Sequence, residues 1–267
     1  MVYLYYGKTD TGRVRGMNQD CFEISQLDDS TLFFIVCDGM GGAKGGEVAS
    51  SVACATALEA VKAGFSSAPD KSAAGKSSGK SKEKSKNKDK ASSSITDILV
   101  GAVDAANKAV FKRAKSDPTL LGMGTTLVAA LIIKDTLYAV NVGDSRLYLF
   151  TEGDIKQITR DHSYVQYLVD LGLLTSEQAA VSSHKNIVTR VVGTDKTVKP
   201  DTFTIPLSEG DKILLCSDGL SNYLDRTELR DTVLSPGITT EEKVNELIRL
   251  ANEKGGGDNI TAVLIEL

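Results

Sequence analysis

Four aspartates in this 267-residue chain stand at the borders of strongly apolar, strand-like runs. Phe33-Phe34-Ile35-Val36-Cys37 leads into Asp38-Gly39, and Ile213-Leu214-Leu215-Cys216-Ser217 leads into Asp218-Gly219. Asp144 follows Ala139-Val140-Asn141-Val142-Gly143, and Asp258 precedes Asn259-Ile260-Thr261-Ala262-Val263. One Asp-Gly alone reads as a turn, because Asp bonds its own backbone and Gly accepts positive φ. Four carboxylates gathered at the ends of core strands would instead repel one another and lose hydration, at a cost of several kcal/mol unless cations neutralise them. A divalent ion held by carboxylates, a backbone carbonyl and waters resolves that conflict.

The surroundings favour a hard cation. Asp38 to Glu47 holds five glycines in ten residues ahead of a helical pattern, which leaves backbone open to close approach by a ligand. Neither of the glycine patterns that cradle nucleotide phosphates is present, so nucleotide binding by those loops is disfavoured. Cys21, Cys37, Cys54 and Cys216 are scattered without a Cys-x-x-Cys pair, and His162 and His184 are the only histidines. Zinc is therefore disfavoured, whereas 35 Asp and Glu supply oxygens suited to Mg or Mn. Arg13 and Arg15, just upstream of Asp20, offer guanidinium groups suited to a phosphate dianion.

The elements that must position these groups are legible from periodicity. Leu32–Cys37, Thr125–Ile133, Leu137–Val142, Leu147–Phe150, Ile213–Cys216 and Ile260–Ile265 predict strands, being short, β-branched or aromatic and bounded by turn residues. Apolar residues at three- and four-residue spacing predict helices over Glu47–Lys62 and Thr96–Lys115, and Thr239-x-x-Glu242 caps a third that Gly255-Gly256-Gly257 ends. Several strands in succession between helices, joined by tight turns, predict an α+β fold with antiparallel sheets covered by helices from outside.

Residues 66–94 stand apart, with ten serines and eight lysines against Asp70, Glu83 and Asp89. So little apolar content predicts a disordered, solvated insertion between two helices. Without it the body is more acidic than the whole-chain charge of −4, which argues against nucleic acid as partner. No stretch approaches the ~20 uninterrupted apolar residues of a spanning helix, and the first residues lack a secretory layout. Membrane insertion is not expected, and the reading is a soluble cytoplasmic protein with reduced thiols.

Six motifs in order carry a family resemblance. Arg15-x-x-Asn18-Gln19-Asp20, Asp38-Gly39-Met40-Gly41-Gly42, Gly122-Met123-Gly124-Thr125-Thr126, Val142-Gly143-Asp144-Ser145-Arg146, Ser217-Asp218-Gly219-Leu220 and Asp258-Asn259-Ile260-Thr261 resemble the bacterial metal-dependent protein phosphatases of the 2C class, from about Gly7 to Leu267. The resemblance implies a single catalytic domain over 1–267, a four-layer α-β-β-α sandwich of two antiparallel sheets flanked by helices. It implies two Mn or Mg ions bridged by Asp38, with the Gly39 carbonyl, Asp218 and Asp258 completing one ion's shell and Asp20 holding the other largely through water. Asp144 matches the place of a third, weaker metal, Arg15 that of the arginine binding substrate phosphate, and 161–194 that of a flap. Within that flap Leu168, Leu171, Leu173 and Leu174 read as ordinary packing.

The implied activity is hydrolysis of phosphoserine and phosphothreonine in proteins by a metal-activated water, without a phosphoenzyme, by a monomer opposing a Ser/Thr kinase. Met40 departs from animal members, which often carry a proton-donating His there, so leaving-group protonation is expected to come from water on a metal at Asp144. Two rivals differ in class. An inactive relative that only docks phosphoproteins would not need Arg15, Asp20, Asp38, Asp218 and Asp258 together, and a metal nuclease conflicts with the acidic body.

Overall fold

The structure, a computed structural model, describes residues 3–40, 42–67 and 83–267, with the side chains of 42–44, 67 and 83–94 excepted. Its elements run β1 (Leu4–Asp10), β2 (Asp20–Asp28), β3 (Thr31–Met40), α1 (Gly42–Ser67) and α2 (Glu83–Ser116), then a short 3-10 turn and β4 (Gly124–Thr125). Next come β5 (Leu127–Ile133), β6 (Thr136–Val142), β7 (Arg146–Thr151), β8 (Asp154–Gln157), α3 (Tyr164–Asp170) and α4 (Ser176–Ala180). The chain closes with β9 (Asp201–Pro206), β10 (Lys212–Cys216), α5 (Asp218–Ser221), α6 (Arg226–Val233), α7 (Thr240–Glu253) and β11 (Ile260–Glu266).

The strands form two antiparallel sheets, ordered β1-β11-β10-β7-β8 and β2-β3-β5-β6-β9, with β4 beside β3. Successive residues of a strand face opposite sides. Phe33, Ile35 and Cys37 accordingly pack under α1 and α2, whereas Leu32, Phe34 and Val36 meet Ile213, Leu215, Val263 and Ile265 between the sheets. Leu214, Cys216, Ala262 and Leu264 face outward again, against Val244, Leu247 and Ile248 of α7. These three apolar layers make the four-layer α-β-β-α order. Because both faces of the central strands are covered, they read as unbroken apolar runs rather than alternating ones.

β1, β2, β8 and β9, none foreseen from periodicity, are partly exposed strands on the sheet margins, where a mixed composition hides the period of two. Of the disordered insertion expected at 66–94, residues 68–82 lie outside the described residues, and the described ends are helical instead, α1 running to Ser67 and α2 beginning at Glu83. The helix-forming Lys, Glu and Ala of 83–91 continue the packed helix toward its N-terminus. Gly45–Ser66 within α1 is long and apolar enough to cross a bilayer, with a mean hydropathy of 1.2. Its Ala49, Ala53, Ala57 and Val61 are small residues that lie buried against the β3 face. Between β8 and β9 the chain crosses from one sheet to the other through α3 and α4. Here Leu171 and Leu173 are 54% and 65% exposed, contrary to the packing expected of them. The segment is too short to form a core of its own, and few of its side chains, Val165 and Ala179 among them, are buried.

Candidate active site

The site grows out of the last rung of the layer between the sheets. Asp20 of β2 lies directly opposite Asp38 of β3, so the two side chains share a face. Two-residue steps from Phe34 and Val36 put that face inward. Across the gap, Ser217 and Thr261 continue the rows Ile213–Leu215 and Val263–Ile265, and both hydroxyls donate to Asp20 Oδ2, at 2.7 and 2.6 Å. Asp20 is thereby tied to the opposite sheet, while its Oδ1 is buried without a hydrogen-bond partner.

Asp38 is held through its backbone. Its N–H donates to Thr126 Oγ1 at 2.9 Å, and its carbonyl accepts from the Thr126 N–H and the Thr125 hydroxyl, each at 2.8 Å. Thr126 Oγ1 also lies 2.7 Å from Ser145 Oγ, which links Asp38 to the turn bearing Asp144. Gly39 follows where no side chain fits, because a Cβ there would stand 2.0 Å from the Gly46 carbonyl oxygen and 2.6 Å from that of Gln19.

On the second sheet, β10 hands the chain to Asp218 in the first turn of α5. Asp218 Oδ2 accepts from Asn222 Nδ2 at 2.9 Å, and its buried Oδ1 has no partner. Asp258 accepts from Arg15 Nη2 at 2.8 Å. Asn259 brings Arg15 there: its side chain accepts from the Gln19 N–H at 2.8 Å and donates to the Thr11 and Met17 carbonyls at 2.9 Å, folding the intervening loop over Asp258. His162 has a similar role under Asp144. Its Nδ1 accepts from the Gly143 N–H at 3.0 Å, its own N–H donates to the Gly143 carbonyl at 2.9 Å, and burial lowers its pKa.

Arg15, Asp38, Gly39, Asp144, Asp218 and Asp258 line one cleft of about 630 Å³, with Met40 on its wall and Asp20 behind its floor. Every site residue expected from the sequence is thus at one end of the sandwich. Thr126, Asn259, Ser217 and Thr261 belonged to the recognised motifs but carried no expected role; their signal was a hydroxyl or amide beside a strand-end Asp.

The carboxylates disturb one another strongly. Burial, with the charges of Asp218 and Asp258, pushes Asp20 up to about 7 despite its two hydroxyl donors, and burial with Asp218 and Asp161 pushes Asp144 up to about 7. Burial raises Asp218, with Asp258 adding to it, and raises Asp38 well above the carboxylate range, with four neighbouring aspartates adding to it. Two unpartnered buried oxygens amid this excess of negative charge fit hard divalent cations. Among the described residues no three His, Cys, Asp or Glu side chains converge closely enough to hold an ion unaided. The Gly39 carbonyl and waters would complete the donor set.

A linkage follows. Between about pH 4 and about pH 7 the folded Asp20 and Asp144 keep protons that unfolded carboxyls have released, so metal-free stability falls as pH rises through that window. Cations displace those protons, so the melting temperature gained on adding Mn should grow from pH 5 to pH 7.5. Calorimetry showing the same gain at both ends would refute the linkage.

The family profile described as protein phosphatase 2C matches residues 12–263. The chain belongs to this family of metal-dependent serine/threonine protein phosphatases. It is 36% identical over 259 residues to the serine/threonine phosphatase stp of Listeria welshimeri, covering 97% of this chain and 94% of that one. The crystal structure of the Mycobacterium tuberculosis serine/threonine phosphatase PstP superposes with a TM-score of 0.81 at 32% identity, over 100% of this chain and 99% of that chain. A structure of the PstP catalytic domain in complex with 2 manganese ions gives 0.77 at 32% identity, over 99% and 97%.

Proposed function

We propose that the cleft hydrolyses phosphoserine and phosphothreonine in cytoplasmic phosphoproteins, opposing a cognate Ser/Thr kinase, and that 1–267 acts as one catalytic domain and a monomer. The observation that carries this reading is the convergence of five aspartates, distant in sequence, at one end of the sandwich, with buried oxygens of Asp20 and Asp218 left for a cation.

Asp38 would bridge two ions, Mn or Mg, with the Gly39 carbonyl, Asp218 and Asp258 on one and Asp20 on the other, partly through water; Asp144 would hold a third. Bound in this way, paired divalent ions acidify a water for in-line attack and neutralise phosphoryl charge. The chain's own groups supply the rest. Thr126 and the Ser217–Thr261 pair keep Asp38 and Asp20 from turning away. Arg15 is half-exposed and its pair with Asp258 is open to solvent, so exchanging that carboxylate for a phosphate dianion costs about 1 kcal/mol or less. The segment 161–194 would cover the cleft as a flap.

Neither histidine lines the cleft: His162 is buried beneath Gly143, and His184 packs edge-on against Tyr164. Met40 cannot donate a proton. Asp144, on the cleft wall, would hold the cation whose water protonates the leaving alkoxide. Asp144→Ala should therefore slow a phosphothreonine peptide at least about tenfold more than p-nitrophenyl phosphate, whose leaving group needs no proton. Equal losses on both substrates would remove this role.

The reading as a whole is tested by Mn-dependent phosphate release from a phosphothreonine peptide by the purified protein. No release above that of an Asp218→Asn variant would overturn it.

A further inference from the structure

A second cavity, of about 360 Å³, opens behind the cleft and shares Asp144 and Asp218 with it. It lies between the α3–α4 segment and the turn from α5 to α6. Its charges sort simply. Asp161 is engaged by Arg146 through Nε at 3.0 Å and Nη2 at 2.7 Å, which leaves that pair neutral. Asp144 and Asp218 belong to the cation site. Lys185 and Arg226 remain, and neither has a carboxylate within 4.0 Å among the described residues. Arg226 spends one nitrogen on the Ile155 carbonyl, and Lys185 makes no side-chain hydrogen bond among the described residues. The Ser221 hydroxyl on the same wall has no partner either.

We propose that this annex is a specificity subsite for an anionic side chain of the substrate polypeptide, a carboxylate or a second phosphate near the phosphoresidue being hydrolysed. It rests on the phosphatase reading above. Once the aspartates shared with the cleft hold cations, the annex presents Lys185, the free nitrogens of Arg226 and the Ser221 hydroxyl, a donor set that suits either anion. An extended chain advances about 3.3 Å per residue, so a side chain a few positions from the scissile phosphate can enter a cavity that adjoins the cleft.

The test compares kcat/KM, with Mn, for phosphothreonine peptides differing at one flanking position, scanned on both sides. That position holds Gln, Glu or a non-hydrolysable phosphonate analogue of phosphoserine. At one or two positions an anion should raise kcat/KM about three- to tenfold over Gln, and the gain should shrink in high salt. A Glu gain identifies a carboxylate ligand; a gain confined to the phosphonate identifies a second phosphate. Lys185→Gln should remove part of the gain, and Lys185→Gln with Arg226→Gln should bring it below about twofold, with Arg226→Lys restoring part. Hydrolysis of p-nitrophenyl phosphate and of the Gln peptide should stay within about twofold throughout. Equal kcat/KM for all wild-type peptides, or a gain that survives the double substitution, would overturn the subsite and leave the phosphatase reading intact. Failure of the wild type to hydrolyse even p-nitrophenyl phosphate would overturn both.

Discussion

Asp38→Asn is expected to lower Mn-dependent hydrolysis of a phosphothreonine peptide about a thousandfold, equivalent to about 4 kcal/mol of transition-state stabilisation. The same variant is expected to melt higher than the wild type when both are metal-free. Burial and the charges of Asp20, Asp144, Asp218 and Asp258 disfavour an ionised Asp38, so near neutral pH folding must protonate a carboxyl that is ionised when unfolded, and an amide of nearly the same shape avoids that cost. Its backbone bonds to Thr125 and Thr126 do not involve the side chain and persist. A purely structural Asp38 predicts the opposite sign, loss of stability together with activity. Chelated protein measured side by side by calorimetry, with phosphate release followed separately, distinguishes the two. A metal-free variant that melts lower would refute the electrostatic account, and retained activity would refute the role of the cluster.

Gly39→Ala should be nearly as damaging by a different route. The added methyl would meet the Gly46 carbonyl at 2.0 Å and that of Gln19 at 2.6 Å, and both obstacles are backbone. Relief requires the end of β3 to part from the start of α1 or from the Arg15 loop, at an expected cost of about 3 kcal/mol. The movement also displaces the residue-39 carbonyl, so activity should fall by two orders of magnitude or more even where the protein remains folded, about 3 kcal/mol at the barrier. Gly16→Ala is the control. Gly16 lies beside Arg15, and nothing stands within 4 Å of a Cβ added there. Urea unfolding and activity should both stay near wild type for Gly16→Ala. If Gly39→Ala behaves like it, the close-approach argument fails.

Chemistry confined to short stretches of chain was legible in the sequence. Asp38, Asp144, Asp218 and Asp258 stood out because a charge at the end of a strand buried on both faces contradicts its neighbours, and burial is written in the composition of the strand itself. The α7 start was equally local: Thr239 and Glu242 form the reciprocal capping box their spacing predicts. Arg15 and Asp20 gained their meaning from a family resemblance, since a lone surface Arg or a strand-initial Asp has no local signature. The margins β1 and β9 were missed because half-exposed strands mix polar and apolar residues. Leu171 and Leu173 misled because hydrophobicity records what burial would yield, not whether a neighbour is there to cover it.

Tertiary structure alone decided which groups meet. Asp20 is bonded by Ser217 and Thr261, 197 and 241 residues away, and Asn259 gathers the Arg15 loop from 240 residues and more. Such partners follow from the register of two sheets and the way they stack, and no window of sequence contains either. The sequence by itself therefore pointed to a cation site at the strand-end aspartates Asp38, Asp144, Asp218 and Asp258. Folding decided how those aspartates are held apart, which of their oxygens stay free, and which cavity adjoins them, because these are properties of contacts between strands rather than of residues within one.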